Sequence, residues 1–225
     1  MPTSSPSPST RRAPVDHPIL DVLAIRWSSR AIDPDRPVDP AVLQRVLEAA
    51  RWAPSTGNAQ PWRYLVFDDR VPTAREQARE CLSPGNAWAR RAPTLLLSVA
   101  VRSWPARPDK PPKADENPHA QHDVGGASLA LCLQATAEGL VTHQMAGFDR
   151  TRARARFSVP DDADPVAMIA VGHPGDADAL PPELARKEQR ARVRRPVGQT
   201  AFLGGFEGPG LEAEPTAATH AGGLG

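Results

Sequence analysis

The sequence predicts an α+β fold in which helices outnumber strands. Apolar residues recur at helical spacing in several segments, for example in the stretch that follows Pro40. Short runs of β-branched, aromatic and aliphatic residues at 62–67 and 94–101 predict strands. Strands and helices do not alternate regularly, and no Gly-x-Gly-x-x-Gly motif follows a strand. The pattern therefore argues against a parallel, dinucleotide-binding sheet.

The composition indicates one domain that does not bind nucleic acid. The chain has 225 residues, of which 40% are hydrophobic, and its formal net charge is +1. The length suits a single domain, and nucleic-acid binders usually carry a large basic excess. We find no apolar run long enough to cross a bilayer, no signal peptide, and two cysteines outside any metal-binding spacing. We therefore expect a cytoplasmic protein with no membrane partner.

The two ends of the chain differ in composition from its middle. Residues 1–16 are rich in Ser, Pro and Thr. We expect them to form a disordered tail, because they offer too little apolar surface to offset the entropy of ordering. Residues 204–225 are rich in Gly and are expected to form a second loose tail. The folded domain is therefore predicted to span residues 17–203.

Caps and breakers place the individual elements. Asp39 can cap a helix that has Pro40 as its first residue. This helix should end near Trp52, because Pro54 disfavours helical backbone before it. We expect a long loop over 103–118. The other predicted elements are helices at 18–25, 72–82 and 125–138, and strands at 62–67, 94–101, 141–145 and 165–171.

Three basic clusters are candidates for holding an anion. Guanidinium groups and serine hydroxyls together suit a phosphate, because they supply paired charged donors and a short neutral one. The alternative interpretation is ordinary solvated surface charge. The clusters are Arg26 and Arg30 around Ser28 and Ser29, the pair Arg90 and Arg91, and the group Arg190, Arg192, Arg194 and Arg195.

A polar loop between two prolines, at 54–61, is another candidate site. It carries Ser, Thr, Gly, Asn and Gln, and its amide side chains can both donate and accept hydrogen bonds. Such a loop could bind the polar edge of a ring and a polyol chain. It could equally be an ordinary connection between a helix and a strand.

The histidines give no clear catalytic pattern. His119, His122 and Asp123 could form a metal site, but the polar start of a helix explains them better, and we predict no metal. His143 lies in an apolar context, so we interpret it as a hydrogen-bonded structural residue. The sequence contains no P-loop, no His-Glu-x-x-His and no Gly-x-Ser-x-Gly motif.

Several of these segments, in this order, resemble the FMN-dependent nitroreductases. The stretch Ala-Pro-Ser-Thr-Gly-Asn-Ala-Gln-Pro-Trp at 53–62 is similar to the most specific motif of the family. Arg-Trp-Ser-Ser-Arg at 26–30 is similar to its opening turn. The resemblance covers about residues 18–205. Weaker similarities lie at 86–93, 123–140, 143–149, 171–174 and 192–196.

The resemblance implies an α+β sandwich, with a mostly antiparallel sheet flanked by helices, and an interlocked homodimer with FMN at the interface. Arg30 would reach the N1/O2 edge of the flavin, and Ala146 and Gly147 would offer a backbone N–H near N5. The segment 54–58 would approach from the partner chain, whereas the other arginines and Ser28 would face the phosphate. The cofactor-binding residues implied are Arg26, Trp27, Ser28, Arg30, Pro54, Ser55, Thr56, Asn58, Ala146, Gly147, Arg192 and Arg194.

The resemblance also implies an oxidoreductase in which the flavin carries out the chemistry. NADH or NADPH would deliver a hydride to N5, and a nitroaromatic, a quinone or a similar small-molecule acceptor would take it in a second half-reaction, which is a ping-pong mechanism. No catalytic side chain is expected. Two alternatives remain open: an FMN-dependent dehydrogenase or desaturase of a natural product with oxygen as acceptor, and a non-enzymatic flavin-binding protein.

Overall fold

A four-stranded antiparallel sheet organises the fold. The structure is a computed structural model and describes residues 11–106 and 115–211. The strands lie in the order β1-β2-β4-β3, and each neighbouring pair is antiparallel. They are β1 (Trp62–Phe67), β2 (Thr94–Val101), β3 (Val141–Met145) and β4 (Ala163–Gly172). The predicted α+β class with an antiparallel sheet is confirmed.

Six α-helices surround the sheet in the ranges described. Shorter 3-10 helices occur at Thr56–Asn58, Pro84–Arg91 and Val197–Gln199. Among the helices that the structure describes, none combines the length and the apolar character needed to cross a membrane. The α-helices are α1 (Asp21–Ile25), α2 (Pro40–Arg51), α3 (Pro72–Cys81), α4 (Ala120–Ala137), α5 (Arg150–Arg156) and α6 (Pro182–Glu188).

Both faces of the sheet are covered by helices. Leu95 and Leu97 of β2 pack in a core that includes residues of α3 and α5. Leu96, between them, packs in a second core that includes residues of α2 and α4. Alternate residues of a strand point to opposite faces of a sheet. The two helical layers therefore explain why the stretch 94–101 is apolar at nearly every position.

The start of α2 and the bounds of three strands are confirmed, whereas the helix predicted at 18–25 begins at Asp21 and the strand predicted at 165–171 extends over Ala163–Gly172. The Asp39 carboxylate accepts a hydrogen bond from the Ala41 amide at 2.7 Å, with Pro40 as the first helical residue. The strands predicted at 62–67, 94–101 and 141–145 coincide with β1, β2 and β3.

The prediction for α4 was wrong at its start, and two helices were not predicted. The helix expected from Gly125 begins at Ala120, because buried residues such as Val124 pack the preceding turn into the core despite the weak helix propensity of glycine. The arginine-rich sequence of α5 has no apolar period, and α6 is only 7 residues long. Of the loop predicted at 103–118, residues 107–114 lie outside the described residues, and the remainder contains no helix or strand.

The predicted tails are described only in part. Residues 1–10 and 212–225 lie outside the described ranges. The Ala13 amide donates a hydrogen bond to the carbonyl of Ala24 at 2.8 Å, so the described part of the first tail contacts α1. Toward the C-terminus the chain keeps large apolar side chains at the surface, and Phe206 is 90% exposed. The domain limits 17–203 stay a prediction.

Candidate functional site

The turn after α1 runs beside β3. Ser28 forms an isolated parallel bridge with Thr142 of β3. Ser28 is exposed and Arg26 and Arg30 are half-buried, whereas Ser29 is buried. Two guanidinium groups and one hydroxyl group of the turn are therefore at least partly accessible to a ligand.

A buried carboxylate holds the inner side of this turn. Glu188, the last residue of α6, is 1% exposed. Its Oε1 accepts a hydrogen bond from the Arg30 amide at 2.9 Å, and its Oε2 accepts one from the Ser29 hydroxyl at 3.1 Å. The guanidinium Nη1 of Arg30 lies 3.6 Å from Oε1. A buried charge is tolerated when it is paired and hydrogen-bonded, as it is here. Sequence reasoning missed Glu188.

His143 supports the same turn from β3. Its Nδ1 lies 3.1 Å from the Ser29 carbonyl oxygen and donates a hydrogen bond to it. Burial, and then the positive charge of Arg30, lower the pKa of His143 to about 4. The imidazole is therefore neutral at pH 7. Its ring packs against Trp88 with the centroids 4.8 Å apart, and the Arg30 guanidinium lies 6.0 Å from the Trp88 ring centre. His143 is thus the hydrogen-bonded structural residue that the sequence predicts.

The peptide after β3 is fixed by the 3-10 helix Pro84–Arg91 and the residue before it. The Gly147 carbonyl accepts hydrogen bonds from the Ser83 amide at 3.2 Å and from Asn86 Nδ2 at 2.9 Å. A Cβ at position 147 would lie 2.7 Å from Asn86 Nδ2 and 2.8 Å from Ser83 Oγ, so a larger residue would displace the side chain that holds the peptide. Within residues 11–106 and 115–211, the Gly147 N–H donates to no protein acceptor. The Gly147 N–H is therefore available to an acceptor outside the described chain.

Arg192 ties distant parts of the chain to the turn. Its guanidinium donates hydrogen bonds to the carbonyls of Arg11 at 2.8 Å, Ala24 at 2.6 Å and Arg26 at 2.8 Å. Burial, and then the charges of Arg26 and Arg194, lower the pKa of Arg192. Arg194 is exposed and donates to the neighbouring Val193 carbonyl. That both arginines also bind a phosphate stays a prediction.

Trp27 of the turn contacts Arg11 and lines a cavity. Its ring stacks under the Arg11 guanidinium, whose central carbon lies 4.3 Å from the ring centre. Together with Ser29 and Glu188 it lines a cavity of about 210 Å³. The structure therefore places Trp27 at this cavity, and its contact with a cofactor stays a prediction.

The polar loop after α2 is anchored to α4. The Thr56 amide donates a hydrogen bond to Oδ2 of the buried Asp123 at 3.0 Å. The Gln60 amide donates to Ser55 Oγ at 3.0 Å. Asn58 and Gln60 have φ angles of 54° and 48°, a left-handed conformation that is uncommon for residues other than glycine. Asn58 is exposed, so its amide side chain faces out of the chain.

The structure thus separates the predicted site residues into two groups. The first group lies around β3, where the 3-10 helix Pro84–Arg91 connects Arg30, through Trp88, with Gly147, through Asn86. The second group is the loop 54–58. Within the described part of the chain, no hydrogen bond or ion pair joins the two groups. No direct contact therefore supports a site that would combine both groups within a single chain.

Comparison with known proteins identifies the family. A sequence model of the nitroreductase family matches residues 23–173 of this chain. An NADH dehydrogenase of Thermus thermophilus is 31% identical, over 71% of this chain and 89% of the relative. A 5,6-dimethylbenzimidazole synthase of Rhodobacter capsulatus is 27% identical, over 72% of this chain and 86% of the relative.

A solved structure agrees with this assignment. It is described as an oxidoreductase containing FMN, and it has a TM-score of 0.76 and 32% sequence identity. The alignment covers 87% of this chain and 96% of that one. The resemblance inferred from the sequence is confirmed, and the chain belongs to the nitroreductase family of oxidoreductases.

Proposed function

We propose that the protein binds FMN between two copies of the chain and transfers a hydride from NADH or NADPH to an electron-poor acceptor. The observation that carries the proposal is the Gly147 N–H, which has no acceptor in the described chain and belongs to a residue whose carbonyl is held by Asn86, in the same 3-10 helix as the Trp88 that Arg30 approaches. The similar FMN-containing oxidoreductase and the similar NADH dehydrogenase support it.

The side chains present fit FMN. Arg26 and Ser28 supply a charged and a neutral donor suited to the phosphate. Arg30 supplies a cation for the N1/O2 edge, and Gly147 supplies a backbone donor for N5. Asn58, which is exposed, can donate and accept hydrogen bonds at the same cofactor from a second chain.

Bound FMN would supply N5, the atom that accepts a hydride from the donor and passes it to the acceptor. The residues of the chain hold and orient the ring. The Gly147 amide would donate its hydrogen bond at N5, and Asn86 keeps that peptide from rotating. Arg30 would place a positive charge where the reduced ring is electron-rich, while neutral His143 adds no second charge.

The proposed mechanism is ping-pong. A nicotinamide and an acceptor that use the same face of one ring must bind in turn, so the donor leaves before the acceptor enters. Nitroaromatics and quinones are the acceptor classes proposed, because they are flat and electron-poor. The direct test is anaerobic: the purified protein should be yellow, and NADH or NADPH should bleach it. FMN that binds but is bleached by neither donor contradicts the reductase proposal.

We propose a homodimer because exposed apolar and small residues lie just before α1 and on α4. Leu20, before α1, is 70% exposed and Leu129 of α4 is 45% exposed. Gly125 and Gly126 are also exposed on α4, and added Cβ atoms there would meet open space, so a second helix could approach closely. The loop with Asn58 is anchored at the same end of α4 and would be carried to the partner chain.

A subunit-mixing experiment tests the shared site. Arg26→Ala and Asn58→Ala each damage every site in a pure homodimer. A mixed dimer of the two variants has one intact site and one doubly damaged site when the residues come from different chains. We expect mixed dimers to recover about half of the wild-type FMN occupancy. Recovery of none would contradict a site formed by two chains.

A second candidate function is the oxidative conversion of a natural product with oxygen as acceptor. It is favoured by the similar proteins named for the synthesis of 5,6-dimethylbenzimidazole, which is an aromatic heterocycle. The two functions differ in the reoxidation of the donor-reduced protein. Rapid reoxidation by quinones and nitroaromatics supports the reductase, whereas reoxidation by oxygen alone supports the second function. Tight FMN without turnover for any donor would indicate a flavin-binding protein.

A further inference from the structure

We propose that Glu188 is a positioning residue that holds Arg30 in the turn and offsets part of its charge, and that it thereby sets the reduction potential of the bound flavin. The inference rests on the proposed binding of FMN. Glu188 lies beyond residues 23–173, the part of the chain that the family model matches. It is the last residue of α6.

The carboxylate of Glu188 is held to the turn by two hydrogen bonds and one ion pair. The Ser29 hydroxyl and the Arg30 amide hydrogen-bond to its two oxygens, at 3.1 Å and 2.9 Å, and Arg30 Nη1 lies 3.6 Å from Oε1. With 1% of its surface exposed, the carboxylate has little water to screen it. Its negative charge therefore acts mainly on Arg30 and on whatever Arg30 contacts.

The position of Arg30 links this pair to the ring site. Its guanidinium extends from Glu188 toward Trp88, whose neighbour Asn86 in the same 3-10 helix holds the Gly147 peptide. A guanidinium has five donors, and the contact with Glu188 leaves others available. A flavin bound next to Arg30 would contact a guanidinium whose charge is partly neutralised by the Glu188 carboxylate.

Removal of the carboxylate charge has a defined electrostatic consequence. Glu188→Gln keeps the shape and one acceptor oxygen but leaves Arg30 without a counter-charge. An unopposed cation favours the more electron-rich, reduced ring over the oxidised ring. A role limited to folding of the turn would instead weaken both redox forms equally and leave the potential unchanged. The reduction potential therefore distinguishes electrostatic tuning from structural support.

The experiment compares the full-length protein with Glu188→Gln after loading with FMN. We expect the variant to bind reduced FMN at least tenfold more tightly, relative to oxidised FMN, than the wild type does. For a two-electron couple this corresponds to a midpoint potential about 30 mV more positive, measured against reference dyes. The matched control is Glu183→Gln, which removes the same charge from an exposed position of α6 and should leave the potential unchanged.

A third variant separates the hydrogen bond from the charge. Ser29→Ala removes one donor to Glu188 and keeps both charges. We expect the affinity of this variant for oxidised FMN to fall by about two- to tenfold, which is the effect of losing one hydrogen bond. Its reduction potential should equal that of the wild type. A potential in Glu188→Gln equal to that of the wild type overturns the inference, even when FMN affinity falls.

Folding of the variant and binding of FMN are controlled separately. Should Glu188→Gln lose its folded circular-dichroism signal, Arg30→Gln/Glu188→Gln removes the whole ion pair without leaving a lone buried charge. We expect its potential to be more negative than the wild-type value, because the proposed contact is made by Arg30, and an equal value overturns the inference. A wild-type protein that takes up no FMN overturns both the inference and the proposed function.

Discussion

Asn86 Nδ2 lies 2.9 Å from the Gly147 carbonyl oxygen, and this contact fixes the peptide that follows β3. Gly147→Ala should therefore weaken FMN binding more than tenfold and lower the free energy of unfolding by about 1–3 kcal/mol, the usual effect of overpacking. The reason is steric, since the new Cβ would lie 2.7 Å from Asn86 Nδ2 and 2.8 Å from Ser83 Oγ. Flavin fluorescence titration and urea denaturation measure the two effects.

The control for this prediction is Gly85→Ala. A Cβ at Gly85, in the same 3-10 helix, meets nothing within 4 Å. We expect wild-type affinity and stability. A Gly147→Ala protein with the FMN dissociation constant of the wild type would show that the peptide after β3 does not contact the cofactor.

The buried Asp123 should control the loop that carries Asn58. Asp123→Ala leaves the Thr56 amide without its acceptor, so we expect a loss of about 1–3 kcal/mol in unfolding free energy and weaker FMN binding. Urea denaturation of the FMN-free protein and titration with FMN provide the measurements. His122→Ala removes an 89% exposed imidazole that lies 3.3 Å from the other oxygen of Asp123 and leaves the Thr56 contact in place, so it should change the free energy of unfolding by less than about 0.5 kcal/mol. Unchanged stability in Asp123→Ala would mean that the loop is held by other contacts.

Stability should fall with acidification because of His143. The pKa of this imidazole is about 4 in the folded protein and 6.5 in its ordinary, unfolded environment. Between these values the unfolded chain binds a proton that the folded chain excludes, so unfolding becomes more favourable as the pH falls. The contribution is fully present above pH 6.5 and is lost toward pH 4; it amounts to about 3 kcal/mol.

His143→Gln tests the assignment, because glutamine does not titrate. The dependence of unfolding free energy on pH between 6.5 and 4 should become flatter than in the wild type, whereas His17→Gln, at an exposed position, should keep the wild-type slope. Urea denaturation at several pH values gives these slopes. Equal slopes in the wild type and His143→Gln would assign the acid sensitivity to other groups.

Arg192 and Arg194 should differ in their effects on folding. Arg192→Ala removes the donors from three backbone carbonyls and should lower the unfolding free energy of the FMN-free protein by about 1–3 kcal/mol. Arg192→Lys should not restore it, because an ammonium lacks the planar fork of donors. Arg194→Ala should change the free energy of unfolding by less than about 0.5 kcal/mol. Its expected effect is confined to weaker binding of FMN. Wild-type stability in Arg192→Ala would contradict the anchoring role.

The elements that the sequence predicted well are those with a local signal. The Asp39-Pro40 pair marks a helix start within two residues, and the stretch 94–101 is apolar because both of its faces are covered. The motif at 53–62 identified the family from a few consecutive residues, and the family match confirms it.

The residues that the sequence could not predict depend on distant partners. Glu188 lies in a charged stretch like many others, and its importance comes from Arg30, which is 158 residues away. The charge of Arg192 suggested a phosphate ligand, but its geometry is set by three carbonyls that no sequence pattern marks. In the proposed dimer the loop 54–58 would meet the turn of a second chain, and this stays a prediction.

Glu188 and Arg192, which hydrogen-bond to the turn, are synthesised long after the turn itself. The turn emerges from the ribosome early, whereas its carboxylate partner follows 158 residues later. A nascent or truncated chain that stops before α6 has the arginines but not the contacts that orient them. We therefore expect cofactor capture to await near-completion of translation, so that acquisition of the yellow colour reports an intact polypeptide.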